Sequence, residues 1–420
     1  MKGPRMTRST SIRRGGDGAT SLPRRRVVAA LAAAGALGIA PRLALAGSGA
    51  PGGNRFVLVI LRGGMDGLGA APAIGDADYA AARGPLANLG AAPLALDSTF
   101  ALHPNLGELH AMVRNGDAAI VHAVGLAYRG RSHFDAQQVL ESGANRPYEL
   151  QNGWLGRALA TSGQKGIAIA TAVPLVLRSN AAVDTWAPSV LPDPSADLVA
   201  RLERMYASDP SLATALSRAR ALHLDSPPPM GADGPAMASS ANGGTVQRPG
   251  AFVALARRAA EFLAQPVGPQ AAVLEIGGWD THANQANPNG PLANNLRQLD
   301  AGLAALRSSL DAAGAWRRTV VVVASEFGRE VAVNGTLGTD HGSGGVAFVL
   351  GGPVRGGVVA DWPGLARDRR FEGRDLRATT DLRAVLKGVL GDHLQVASRV
   401  LERDVFPDSA NVRPLALLRA

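Results

Sequence analysis

Three features of the chain predict an α/β fold with a largely parallel central sheet flanked by helices. Short β-rich apolar runs alternate with helical stretches. The runs lack polar and apolar alternation, so both of their faces are buried. Glycine-rich polar segments follow the runs directly, where ligands bind in an open parallel sheet.

Taken in order, strands are expected at 55–61, 118–124, 271–276, 319–324 and 346–350. The clearest helices are at 195–206, 211–222, 250–264, 291–313 and 380–390, the last with Thr380 as cap and Asp381 as first-turn acid. Residues 226–250 hold Pro227, Pro228 and Pro229 with several Gly and Ser, and read as a long flexible loop. No repeat with a solenoid or propeller period is visible. Hydrophobic residues make up 46% of the chain and charged ones 18%, which excludes a disordered tail or a multispanning membrane protein.

The net charge of +9 belongs almost wholly to residues 1–46, where nine basic residues face Asp17 alone. A basic stretch ends in Arg24, Arg25 and Arg26, an apolar run spans 27–40, and Ala44-Leu45-Ala46 forms a cleavage signature. The basic patch is thus an export signal, and no nucleic-acid partner is expected. The stretch from Ser21 to Val28 resembles a twin-arginine signal, with the twin-arginine translocation machinery as the implied partner. The 14-residue apolar run falls short of the ~20 residues that span a bilayer, so the mature protein, 47–420, reads as a single periplasmic or secreted α/β domain with no transmembrane anchor.

The chain has no cysteine, which removes disulfides, thiolate metal sites and thiol nucleophiles. It also lacks a Gly-Lys-Ser/Thr phosphate loop, a nucleophile elbow and a His-Glu-x-x-His helix. The remaining chemistry lies after the strands. Asp66 follows the first strand within Arg62-Gly63-Gly64-Met65-Asp66-Gly67 and is a candidate metal ligand. Ser132 opens a helix within Arg131-Ser132-His133-Phe134-Asp135, whose N-terminus favours negative charge, and is a candidate nucleophile. Asp280 and His282 stand two residues apart on a loop and suit a divalent ion. Glu326, Asp340 and His341 complete the set, and Arg62, Arg131 and Arg329 are candidate oxyanion binders.

Each group also has a plainer role. Ser132 with Asp135 makes a capping box, and Asp66 is a turn residue among glycines. Asp280 with His282 ties a loop, and Glu326 with Arg329 makes a local ion pair. His103, His122, His223 and His393 read as structural or surface histidines.

The ordered motifs at 61–67, 131–135, 153–157, 278–282, 325–329 and 338–342 resemble the bacterial exported family known as domain of unknown function 1501. That family resembles the alkaline phosphatase and sulfatase superfamily. The resemblance implies Asp66, Glu326 and Ser132 around one metal and Asp280, His282 and His341 around another, with Asp340 as a substitute ligand. Two departures stand out: Glu326-Phe327 replaces an Asp-His pair, and Asp280 and His282 are separated by one residue rather than three. One or two divalent ions (zinc, calcium, magnesium or manganese) are therefore implied. Two functions follow, a metal-dependent hydrolase of small-molecule phosphate or sulfate esters and a non-catalytic, metal-stabilised binding or assembly protein of the cell envelope.

If the leader is a twin-arginine address, replacing Arg24, Arg25 and Arg26 by lysine retains the precursor in the cytoplasm, as cell fractionation would show. Normal periplasmic delivery of that variant would instead indicate the general secretion route.

Overall fold

Why the apolar runs become strands is visible in their burial: all seven residues of Arg55–Leu61 are buried, and alternate ones enter opposite cores. The computed structural model describes residues 53–188, 194–224, 238, 239, 245, 246 and 250–419. The leader at 1–46, and most of the loop expected at 226–250, lie outside the described residues.

The main sheet has nine strands: β1 Arg55–Leu61, β2 Ala118–Gly125, β3 Lys165–Ala168, β4 Ala182–Thr185, β5 Ala271–Ile276, β6 Thr319–Ser325, β7 Gly345–Leu350, β8 Gly357–Val359 and β9 Thr380–Asp381. Their order is β8-β2-β7-β6-β1-β5-β3-β4, with β9 also paired to β2. The sheet is mixed and mostly parallel. β7 runs antiparallel to both of its neighbours, β6 and β2. The β6–β7 connection contains no crossover helix, so the chain turns back at the edge it has just reached.

The helices that matter below are α1 Gly67–Ala70, α2 Tyr79–Arg83, α3 Gly107–Arg114, α4 His133–Ser142, α5 Trp154–Ser162, α6 Ala196–Tyr206, α7 Pro210–Leu224, α8 Ala251–Ala264, α9 Pro291–Ala312 and α10 Leu382–Asp392. On one face, Val57, Val59 and Leu61 pack with Leu109 of α3, Phe252 and Leu255 of α8, and Leu296 and Leu299 of α9. On the other, Phe56, Leu58 and Ile60 pack with Val139 of α4, Trp154 of α5, and Val385 and Val389 of α10. All five expected strands and all five expected helices form within a residue or two of their expected bounds. The start of α10 differs: Asp381 is its cap, accepting from Arg383 N, while Thr380 and Asp381 pair with β2. Strands β3, β4 and β8 escaped the sequence reading because three or four residues are too few to show a period.

His122 lies wholly inside β2. Its Nε2 donates to Ala71 O at 2.7 Å, and its Nδ1 accepts from Ala123 N at 2.9 Å, a pattern only the neutral ring satisfies. Burial pushes its pKa from 6.5 down to about 4. Its contribution is therefore complete above pH 6.5 and is lost as pH falls towards 4, at a cost of ~3 kcal/mol. Unfolding free energies should show the gap between wild type and His122→Gln closing by about that amount between pH 7 and pH 4.

Candidate metal centre

The carboxyl edge of the sheet gathers four segments. Residues 62–67 leave β1, α4 begins after β2, residues 277–282 leave β5, and 326–344 join β6 to β7. Gly63 makes the gathering possible. Its φ is +120°, and a Cβ there would lie 2.6 Å from Asp280 N, so no other residue lets the loops after β1 and β5 approach so closely.

Three histidines share one pattern. His133 Nδ1 faces Glu326 Oε1 at 2.8 Å, His282 Nδ1 faces Asp340 Oδ1 at 3.0 Å, and His341 Nδ1 faces the carbonyl of Arg131 at 2.7 Å. Each partner is an acceptor, which places a proton on each Nδ1 and leaves Nε2 as the atom that faces Asp280. The three Nε2 atoms converge on Asp280. Asp280 Oδ1 lies 3.0 Å from His282 Nε2 and 3.2 Å from His341 Nε2, while Asp280 Oδ2 lies 3.4 Å from His133 Nε2. The Nε2 atoms of His282 and His341 are 3.0 Å apart.

Asp280 Oδ1 is already paired with the Arg329 guanidinium, while its Oδ2 faces only His133 Nε2, which leaves room for a cation on that side. Tetrahedral zinc with ligands at 2.0–2.1 Å holds its ligand atoms about 3.3 Å apart, and Asp280 lies 3.0–3.4 Å from each of the three Nε2 atoms, with the ligand atoms of His133, Asp280 and His341 all within 4.8 Å of one another. His133 Nε2 is buried without a hydrogen-bond partner, as a ligand atom awaiting an ion would be. The residues present thus fit a metal. In the metal-free chain, burial pushes the His133 imidazole down, but the facing carboxylates of Asp280 and Glu326 outweigh it and raise its pKa to about 9. Burial opposes ionisation of Asp280, yet His133, His341 and Arg329 beside it hold its carboxyl well below the usual range. The centre opens to solvent on the side of His282 and Asp340, whose side chains are 45% and 54% exposed.

The structure thus brings Asp280, His282 and His341 together, and it adds His133. Glu326 and Asp340, expected as ligands, instead orient imidazoles. Glu326 Oε1 takes Gly63 N, Gln137 Nε2 and His133 Nδ1, and Glu326 Oε2 takes the Ser325 hydroxyl. Asp340 Oδ1 also accepts from Asn334 Nδ2. Asp66 is engaged elsewhere: it caps α1 through Leu68 N and binds Arg83 and Gln285. Ser132 caps α4, with its Oγ 3.5 Å from Asp135 N, between the residues that hold His341 and supply His133. Arg62 pairs with Glu275 and Glu141, Arg131 with Asp375 and Glu372, and Arg329 with Asp280. These pairs explain why the three arginines lie beside the motifs.

His133 escaped the sequence reading although it stands next to Ser132. The overlooked signal was its place at the first residue of a helix that follows a central strand, the position that projects towards the sheet's carboxyl edge. Gln137, one turn further along α4, has no sequence signature of its own.

The family model described as "Protein of unknown function (DUF1501)" matches residues 54–405. No curated protein matches the chain. Among solved structures, the chain is similar to a protein in the alkaline phosphatase superfamily from Vibrio parahaemolyticus, at 10% identity over 88% of this chain and 75% of that one, with a TM-score of 0.42. It is similar to the phosphonate monoester hydrolase of Agrobacterium radiobacter at 13% identity, over 82% and 74%, with a TM-score of 0.40. It is also similar to the PsFucS1 sulfatase from Pseudoalteromonas sp. at 14% identity, over 88% and 73%, with a TM-score of 0.43.

The orienting role of Glu326 is open to test. Glu326→Gln keeps the shape but weakens the grip on the His133 proton, and a competitive chelator titration should show zinc affinity reduced ~10–100-fold. Unchanged affinity would remove Glu326 from the centre.

Proposed function

The chain belongs to the family described as protein of unknown function (DUF1501), and from that premise we propose an exported, metal-dependent hydrolase of small-molecule phosphate or sulfate esters. The observation that carries this reading is the convergence of three Nε2 atoms and one carboxylate at the open edge of the sheet. His133, Asp280 and His341 would hold the ion, with His282 Nε2 beside them, 3.0 Å from His341 Nε2. Imidazoles with a carboxylate suit zinc or a similar borderline cation better than calcium or magnesium. Such an ion supplies Lewis-acid polarisation of the ester and stabilises charge on its oxygens.

The protein's own residues supply position. Glu326, Asp340 and the Arg131 carbonyl fix the three rings so that little reorganisation accompanies binding. Arg329, buried and bonded to both Thr339 Oγ1 and Asp280 Oδ1, keeps the carboxylate turned inwards. Ser132 is the nucleophile of this reading. Its oxygen attacks phosphorus or sulfur as the bond to the leaving-group oxygen breaks, the hydroxyl proton passes to the departing oxygen, and water then cleaves the covalent ester to restore Ser132, while the N-terminus of α4 favours the negative charge that develops.

One observation favours the non-catalytic alternative, a metal-stabilised envelope protein. Arg62, Arg131 and Arg329 all have carboxylate partners, so none of the three is left to clamp a transferred oxyanion.

Ser132→Ala separates the two readings. For the hydrolase, turnover of an activated aryl phosphate or sulfate is abolished while zinc content stays near one per site, as metal analysis beside the assay would show. For a cap alone, the variant loses ~1 kcal/mol of stability and any activity persists.

A further inference from the structure

We infer that the chain holds a single ion, and that the buried guanidinium of Arg83 takes the place on Asp66 that the resemblance assigns to a second one. The inference rests on the metal centre proposed above and sets its stoichiometry. A second ion would need Asp66, Glu326 and Ser132, and the structure has committed the two carboxylates to other partners.

Asp66 is buried, and its Oδ2 already receives both Arg83 Nη2 and Gln285 Nε2, while its Oδ1 caps α1. Arg83 comes from α2 and is fully buried, with Nη1 donating to Val331 O at 3.0 Å. Asp66 is the only carboxylate with which it pairs among the described residues. A divalent ion on Asp66 would be set against this guanidinium with no water between them to screen the repulsion. The cation that the carboxylate needs is therefore part of the chain.

Glu326 is equally committed. Three donors crowd Oε1, and the Ser325 hydroxyl lies 2.9 Å from Oε2 and 2.6 Å from the carbonyl of Leu61, between which its one proton is shared. The residue that would supply an imidazole is Phe327, whose ring packs 4.8 Å from His133 and 5.1 Å from His341, centroid to centroid. Gly64 makes room for that ring, since a Cβ there would lie 2.4 Å from it. An apolar wall stands where a second ligand set would open.

The test is metal counting on the mature full-length chain, loaded with zinc and dialysed. One zinc per chain is expected, and two would overturn the inference while leaving the proposed centre intact. None would remove the proposed centre as well. Asp66→Asn alone strands a buried guanidinium, so the informative variant replaces the pair together, Asp66→Leu with Arg83→Met. Folded double variant should keep one zinc with affinity within about threefold of wild type, whereas Asp280→Asn should lose it. Loss of zinc from the folded double variant would show that Asp66 is a ligand and overturn the inference. If the double variant does not fold, the wild-type count alone decides.

Discussion

The site depends on one constraint: an imidazole has two nitrogens, and fixing the proton on one commits the lone pair of the other. Glu326, Asp340 and the carbonyl of Arg131 each hold an Nδ1 proton, so all three Nε2 atoms are turned towards Asp280. Arg329 meets the same carboxylate on Oδ1, which leaves its Oδ2 facing His133. Residues that never touch the centre, such as Gln137, Ser325 and Asn334, act on it through these anchors.

The topology serves the same end. A parallel β7 would require the chain to cross to the far end of the sheet after β6, carrying residues 326–344 away from the carboxyl edge. By returning antiparallel, the segment keeps Glu326, Arg329, Asp340 and His341 on one rim with Asp280 and His282. It is stiffened by backbone pairing between Arg329 and His341 and by Arg329 itself, whose guanidinium spans Thr339 and Asp280. The irregular strand direction is thus the geometric condition for the site.

Buried charge is met in two ways, since Arg55 and Lys387 donate to backbone carbonyls whereas other arginines find carboxylates. Arg62, Arg83, Arg329 and Arg383 are all buried, and each meets a carboxylate. Breaking such a pair is costlier than never having made it, because the surviving charge stays buried. Arginines that look like anion receptors in the sequence are thereby consumed as structure.

Much of the fold was legible in the sequence. Continuous apolar runs such as 55–61 and 319–324 admit little other than doubly buried strands, and the helices declare themselves by period and cap. The motif residues Asp280, His282 and His341 were named from the sequence and lie together in the fold, although a loop tie was as good a reading of Asp280 with His282. What the sequence could not assign was role. Whether Glu326 and Asp340 touch an ion or hold the ring that does, whether Asp66 faces an ion or Arg83, and whether His133 belongs to the site all depend on contacts between residues up to 263 positions apart. Residue type determines what a side chain can bond. Only the tertiary structure decides which partner arrives first: both oxygens of Asp66 are taken by donors of the chain, whereas Oδ2 of Asp280 faces only His133 Nε2.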